Sequence, residues 1–165
     1  MSELFTKRER AAWGGLIATQ ARIFRRIEDD LRHGFGLTHA EFEVLLRLAK
    51  AQDGRLRIQD LAARSLITRS GTSRAVDRLA RAGHVAREGA EEAGRGAYAV
   101  LTDAGREHFL AAAKDHVALV RRELLSRFTD DELDTLAGFW RRLEEAPADA
   151  PPAGPRRGAR RRPPR

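Results

Sequence analysis

The distribution of proline sets the main limit on how this chain folds. All six prolines lie between residues 147 and 164, and the first 146 residues contain none. Because proline breaks the interior of a helix, its absence favours long helices throughout this body. Residues 147–165 are rich in proline and arginine and have no large apolar side chain to bury. The sequence therefore predicts a folded body, residues 1–146, followed by a disordered tail.

Helix start signals recur along the body. A threonine followed three residues later by glutamate is the pattern of a capping box, and it occurs at Thr6 and Glu9, Thr38 and Glu41, and Thr129 and Glu132. Apolar residues follow each pair at helical spacing. We expect the first helix to stop at Gly34 and the second at Gly54. Leu37 and Phe42 flank the second start as a hydrophobic staple.

Two short helices are predicted between these longer ones. They cover about Ile58–Ser65 and about Thr68–Ala82, with Gly83 as the stop of the second. Such close spacing is typical of a helix-turn-helix. The residues expected to face inward are Leu61, Ala62, Thr72, Val76, Leu79 and Ala80.

A change of period follows this motif. Residues 84–87 and 97–101 are short strand-like runs around a loop rich in glycine and charge, which indicates a hairpin. Thr102 then caps a helix to about Arg127. Its predicted inward residues are Phe109, Ala113, Val117, Val120, Leu124 and Phe128. The expected fold is mainly α, with five to six helices and a small β-wing of two to three strands that includes this hairpin.

The helix-turn-helix and hairpin together resemble a known family. Leu61–Arg64, the run ITRSGTSRAVDRL at 67–79, the run AGHV at 82–85, and Arg87 are similar to the helix-turn-helix of MarR transcriptional regulators. Arg95 and the run AYAVLTDAG at 97–105 resemble the wing and the next helix. The resemblance covers about residues 6–145. One departure lies two residues before Arg95, where the family commonly has an acidic residue and this chain has Ala93.

The resemblance implies a winged helix fold that binds double-stranded DNA. It places dimerisation helices at about residues 4–33 and 102–146, and a DNA-binding lobe at about 37–101. The predicted DNA contacts are Thr68, Arg69, Ser70, Gly71, Ser73, Arg74, Arg78 and Arg95, with Arg95 as a minor-groove probe at the wing tip. Asp77 is expected on the same exposed face. Gly71 would be required where a side chain would meet DNA or a neighbouring helix.

An alternative interpretation stands beside these contacts. Arginine makes up 28 of the 31 basic residues, so the same side chains could be ordinary solvated charges. Arg78 could equally form an internal salt bridge with an acidic side chain. Arg95 could be a loop charge that serves solubility.

Apolar residues on the terminal helices favour a homodimer. The predicted interface residues are Leu16, Ile23, Leu124, Phe128, Phe139 and Trp140. Adjacent aromatic residues on a helix point about 100° apart, so Phe139 and Trp140 would face different surfaces. A twofold dimer predicts a pseudo-palindromic DNA site with half-sites about 10 base pairs apart. The alternative is a monomer with one exposed aromatic residue.

The family resemblance also implies a small aromatic or acidic effector that releases DNA and a default role in repression. The residues expected to line its crevice are Trp13, Ile17, His39, Phe42 and Leu46. Trp13 could instead be part of the dimer core. No cofactor or metal is expected, because the chain has no cysteine and its histidines lack a dense set of carboxylate partners.

Other classes of function are less well supported. The chain lacks a P-loop and a G-x-S-x-G elbow, so we do not expect an enzyme. No apolar run is long enough for a membrane helix and the first residues lack a signal-peptide core, which predicts a cytoplasmic protein. The tail carries six arginines against one aspartate, or five of the seven net positive charges. A non-specific nucleic-acid-binding protein driven by this tail is therefore the alternative function.

Overall fold

The computed structural model describes residues 4–65, 67–89 and 97–145, and Arg95 and the 147–165 tail lie outside them. The described residues form six α-helices and three strands. The helices are α1 (Lys7–Phe35), α2 (His39–Lys50), α3 (Ile58–Arg64), α4 (Arg69–Arg81), α5 (Asp103–Glu123) and α6 (Asp130–Glu144). The strands are β1 (Arg55–Arg57), β2 (Val85–Glu88) and β3 (Tyr98–Leu101), which pair antiparallel in the order β1-β3-β2. This is the winged helix architecture expected from the sequence.

Threonine caps begin five of the six described helices, as predicted. Complete capping boxes are present at Thr6, Thr38 and Thr129, each with the threonine hydroxyl accepting from the backbone of the glutamate three residues later. Thr68 and Thr102 also cap their helices, and each accepts a hydrogen bond from a glycine N–H. These short-range bonds satisfy backbone donors that a helix start leaves free.

Several predicted helix ends are wrong by a few residues. The first helix continues past Gly34 to Phe35, because Gly36 adopts the left-handed conformation (φ 65°) and its N–H donates to the Arg32 carbonyl. The second ends at Lys50 rather than Gly54, since Ala51 is extended. The helix after Thr102 ends at Glu123 rather than Arg127, because Leu124 leaves the helical region. Short 3-10 turns follow both of these ends.

The core of the first compact unit, which ends at Ser126, surrounds α2. Val44, Leu45 and Leu48 are fully buried. The other members of this buried apolar cluster are Ile27, Leu31, Leu37, Phe42, Leu61, Ala75, Val76, Leu79, Val85, Ala99, Leu101, Phe109, Ala112 and Leu119. Leu37 and Phe42 both belong to this cluster, in agreement with the predicted staple.

The predicted inward face of α5 is only partly right. Phe109 is buried, and Ala113 and Val120 pack against the core, but Val117 and Phe128 are exposed. The buried residues of α5 are Gly105, Phe109, Ala112, Leu119 and Glu123, which follow the helical repeat along a face that does not pass through Val117.

The turn after α4 is fixed closely to the start of α5. Thr102 donates from its hydroxyl to the Gly83 carbonyl at 2.8 Å and from its N–H to the His84 carbonyl at 3.2 Å. Gly105 lies so near that an added Cβ would be 1.9 Å from the His84 carbonyl oxygen. The His84 and His108 rings stack with centroids 4.4 Å apart. These contacts hold the end of α4 and the base of the wing against α5.

The second compact unit begins at Arg127 and contains α6. Its aromatic residues are exposed: Phe139 retains 47% and Trp140 42% of its accessible surface. Within α6 the Arg142 guanidinium lies 4.9 Å from the centre of the Phe139 ring. The apolar surface of this helix is therefore available for further packing.

Candidate nucleic-acid interface

The N-terminal half of α4 presents a polar face to solvent. Thr72, Ala75, Val76 and Leu79 are buried on the opposite side, which fixes the rotation of the helix. The predicted contact residues Thr68, Arg69, Ser70 and Arg74 are exposed, and Ser73 is half-buried. The helix thus places two arginines and three small hydroxyl side chains on one accessible surface.

Gly71 has a close neighbour within its own helix cap. A Cβ at this position would lie 3.1 Å from the Thr68 hydroxyl oxygen and 3.9 Å from the Ile67 Cβ, and its N–H donates to that same hydroxyl at 3.1 Å. The nearest described atoms are therefore those of the cap, whereas the sequence suggested DNA or a neighbouring helix. Room for the capping hydroxyl is a sufficient structural reason for glycine.

Arg78 forms the internal ion pair that the sequence left open as an alternative. Its Nε donates to Glu41 Oε1 at 2.5 Å, and the Glu41 side chain is almost completely buried. Burial raises the pKa of Glu41, but hydrogen bonds from Thr38 and Arg78 outweigh it, so this pKa lies below its usual value. Arg78 keeps 43% of its side-chain surface exposed. Its contact with DNA stays a prediction.

The base of the wing carries polar contacts that the sequence analysis missed. Asp77, predicted on the exposed face of α4, forms an ion pair with Arg87 of β2. On the outer face of the sheet, the Arg55 guanidinium lies 3.6 Å from the centre of the Tyr98 ring, and Arg57 Nε donates to the Tyr98 hydroxyl at 2.9 Å. The sequence did contain one signal for these contacts. Arg55 and Arg57 alternate with Leu56, and residues two apart on a strand lie on the same face of the sheet.

A cleft between α3 and α4 brings half of the predicted contacts together. Its volume is about 690 Å³, and it is lined by Ile58, Gln59, Thr68, Arg69, Ser70, Ser73 and Ala97. Four of the predicted DNA-binding residues are in this lining, together with Gln59, which the sequence analysis missed. Gly71, Arg74 and Arg78 lie outside the lining, and Arg95 lies outside the described residues.

Comparisons with known proteins agree with this geometry. The model of the MarR family matches residues 35–96. The structure is similar to that of Sco3205, a MarR family transcriptional regulator from Streptomyces coelicolor solved in complex with DNA. The two chains are 32% identical with a TM-score of 0.79, over 88% of this chain and 93% of Sco3205. This chain belongs to the MarR family of transcriptional regulators.

Two further MarR structures from Streptomyces coelicolor are similar. AbsC is 32% identical with a TM-score of 0.77, over 86% of this chain and 95% of AbsC. Sco5413 is 26% identical with a TM-score of 0.71, over 84% and 94% of the two chains. The comparison with curated proteins gave no match. The winged helix with a three-stranded sheet is thus the fold shared with known MarR regulators.

The residues predicted for a MarR effector crevice are only partly gathered. Phe42 is buried, with its ring centre 4.9 Å from that of His116 and 5.7 Å from that of Phe109. The His39 ring lies 4.3 Å from Phe24, and Leu46 packs against the core. Trp13 and Ile17 are exposed on α1. Neither the α3–α4 cleft nor a second cleft of about 570 Å³ along α1 and α5 is lined by these residues.

The predicted dimer residues differ in exposure. Leu16 and Phe128 are exposed, as are Phe139 and Trp140, whereas Ile23 and Leu124 are half-buried. In the part of the chain that the structure covers, no three acidic, histidine or cysteine side chains form a group that could hold a metal ion. Within the same residues, no helix is long and apolar enough to cross a membrane.

Proposed function

We propose that this MarR protein is a sequence-specific regulator that places α4 in the major groove of double-stranded DNA. The observation that carries the proposal is the accessible face of Arg69, Ser70, Ser73 and Arg74 beside the α3–α4 cleft. An arginine that forms two hydrogen bonds to guanine discriminates against other bases by roughly 1–3 kcal/mol. The hydroxyls of Thr68 and Ser70 are suited to phosphate oxygens, which set register without reading sequence. This role is binding rather than catalysis.

We further propose that the protein acts as a homodimer. The support is an unusual amount of exposed apolar surface on α1, where Trp13 keeps 55% of its surface and Leu16, Ile17 and Phe24 are also exposed. Residues such as these are buried in stable protein interfaces. Two copies related by a twofold axis would present two α4 helices to half-sites about 10 base pairs apart.

A repressor released by an effector is the finer role we propose. A dimer on promoter DNA would exclude polymerase, and a small aromatic or acidic molecule bound among Trp13, Ile17, His39, Phe42 and Leu46 would shift the DNA-binding lobe. The exposed ring of Trp13 and the half-buried ring of His39 support an aromatic ligand, which could stack on them. Because such a regulator works on the chromosome, we expect it in the cytoplasm.

Selection from a random pool of duplex DNA tests the central proposal. The full-length chain should recover a pseudo-palindrome at near-physiological salt. Arg74→Ala should weaken binding to that sequence and relax its base preference, because the arginine would contact bases. Arg121→Ala, which removes an exposed arginine from α5, is the matched control and should leave the recovered sequence unchanged. Recovery of no preferred sequence by the wild-type chain would contradict the proposal.

Non-specific binding through the tail is the second candidate function. The six arginines of residues 147–165 favour it, since each could release counterions from any polyanion. Replacing these six arginines by glutamine in the full-length chain separates the two candidates. A specific regulator should keep its base preference and lose part of its salt-sensitive affinity. A tail-driven protein should lose most of its binding to every duplex.

A further inference from the structure

We propose that Arg57 contacts a phosphate of the DNA backbone at the edge of the α3–α4 cleft, and that Tyr98 is the residue that positions it. This inference rests on the proposed function, because it adds a contact to the same DNA-binding surface. It assigns a role to the wing sheet, separate from that of the wing tip.

The location of Arg57 follows from the pairing of β1 with β3. Arg57 ends β1 and stands directly opposite Tyr98 in the antiparallel register. The next residue, Ile58, lines the cleft, and its N–H donates at 3.0 Å to the carbonyl of Ala97, which also lines the cleft. Arg57 and Tyr98 are therefore the immediate chain neighbours of two residues that form one wall of the cleft.

Tyr98 restrains the Arg57 side chain. Arg57 Nε donates to the Tyr98 hydroxyl at 2.9 Å, and the Arg57 guanidinium carbon lies 5.5 Å from the ring centre. The same hydrogen bond is the main reason that the pKa of Arg57 is raised. A guanidinium held at Nε by a hydroxyl oxygen loses less entropy when it binds a second group.

The two terminal nitrogens of Arg57 are available for a ligand. Among the described residues, neither nitrogen has a hydrogen-bond partner, and Arg57 has no ion pair within 4.0 Å, although Asp60 attracts it from a greater distance. Two parallel N–H groups of this kind match two oxygens of a phosphate. Arg55, which lies 3.6 Å from the centre of the same ring, differs because its charge is already paired with Glu88 at 3.2 Å.

The cleft supplies further groups for the same strand of DNA. The Gln59 amide and the hydroxyls of Thr68 and Ser70 line it, and Arg69 adds a positive charge. A backbone segment in contact with these residues would pass the cleft edge where Arg57 lies. Contacts to phosphate add affinity for every sequence, so Arg57 is expected to strengthen binding without changing base preference.

The test measures binding of the full-length chain to two DNA duplexes. One has the sequence recovered by selection and the other has a scrambled sequence, and each is about 25 base pairs long so that two half-sites fit. Arg57→Gln should weaken binding to both by about tenfold, the effect of losing a charged hydrogen bond. The slope of log affinity against log salt should fall by about one, because one phosphate contact is lost. Arg55→Gln removes the same charge beside the same ring and is the matched control, with less than a twofold change expected.

Tyr98→Phe separates positioning from charge. It removes the hydroxyl but keeps the ring, so affinity should fall about threefold to both duplexes while the salt slope is retained. Arg57→Lys should also keep the slope and lose affinity, since an ammonium cannot offer two parallel donors. This variant decides the matter if Arg57→Gln does not fold.

Several outcomes would overturn the inference. One is unchanged affinity and slope in both Arg57 variants, and another is an equal loss in Arg55→Gln and Arg57→Gln, which would assign the effect to total wing charge. Full affinity in Tyr98→Phe would remove the positioning role. Failure of the wild-type chain to bind either duplex would instead contradict the proposed function itself.

Discussion

Arg78 of α4 and Glu41 in the first turn of α2 are joined by a hydrogen-bonded ion pair, with Arg78 Nε 2.5 Å from Glu41 Oε1. The other oxygen of Glu41 accepts from the Thr38 N–H at 2.7 Å and from the Thr38 hydroxyl at 2.8 Å. One carboxylate therefore caps α2 and holds α4. The helix that carries the proposed DNA contacts is thus bonded to the start of another helix 37 residues earlier in the chain.

Glu41→Gln should reduce the free energy of unfolding by about 1–3 kcal/mol, the range expected when a buried charged hydrogen bond is lost. The amide would also leave Arg78 without its carboxylate. Chemical denaturation measures the change. Glu9→Gln is the matched control, because Glu9 has the same position in a capping box but is fully exposed, and it should have a much smaller effect. Equal losses in the two variants would assign the effect of Glu41 to capping.

Gly105→Ala should destabilise the protein by about 1–3 kcal/mol or more, as expected for overpacking. The added Cβ would lie 1.9 Å from the His84 carbonyl oxygen, so the backbone at the end of α4 or the start of α5 must move. Gly34→Ala is the control, since nothing lies within 4 Å of its Cβ position on α1. That change should stabilise by up to about 1 kcal/mol through helix propensity. Thermal unfolding of both variants checks the contrast, and a stable Gly105→Ala protein would contradict the close approach.

The sequence predicted helix starts better than helix ends, for a physical reason. A start at Thr38 or Thr129 depends on a threonine and glutamate three residues apart, so the signal is local. The end of α1 depends on which of two nearby glycines takes the left-handed conformation. Gly36 does so while Leu37 is buried in the core and donates to the Leu31 carbonyl. That choice requires tertiary packing, which residue spacing does not contain.

The candidate site shows the same contrast between residues with a local sequence signal and residues placed by tertiary packing. Thr68, Arg69, Ser70 and Ser73 could be predicted because one capped amphipathic helix places them together. Gln59 could not, because its place in the cleft depends on how α3 packs against α4. The bond between Arg57 and Tyr98 joins residues 41 apart, so the spacing of Arg55 and Arg57 indicates that they share a strand face but not which strand supplies Tyr98.

The stability of the protein should fall in mild acid. Burial and the neighbouring His108 lower the pKa of His84, and burial and His39 lower that of His116 against the opposing effect of Asp30. Below the ordinary histidine value of 6.5, the unfolded chain therefore takes up protons before the folded one. The free energy of unfolding should be constant above this pH and decrease below it, until the lowered folded-state values are passed. Each histidine contributes at most about 1.4 kcal/mol per pH unit.

Denaturation between neutral and mildly acidic pH measures this profile. His84→Gln and His116→Gln should each flatten the decrease, since each removes a side chain that is harder to protonate in the folded protein. His33→Gln removes an exposed histidine and serves as the control, which should retain the decrease. A free energy of unfolding that increases toward acidic pH would contradict the lowered pKa values of these two half-buried histidines.

Trp140→Asp should convert the proposed dimer into a monomer. Trp140 and its neighbour Phe139 are exposed on α6. Truncation of an aromatic residue at the centre of an interface often costs about 2–4 kcal/mol of binding free energy. Sedimentation equilibrium should report twice the chain mass for the wild type and the single-chain mass for Trp140→Asp. DNA affinity should fall with it, because the two α4 helices would no longer bind as a unit. Ala63→Asp is the control: it places the same charge on an exposed residue of α3, outside the predicted dimerisation helices, and the dimer mass should persist. A wild-type chain that sediments as a monomer at micromolar concentration would remove the basis for a pseudo-palindromic site.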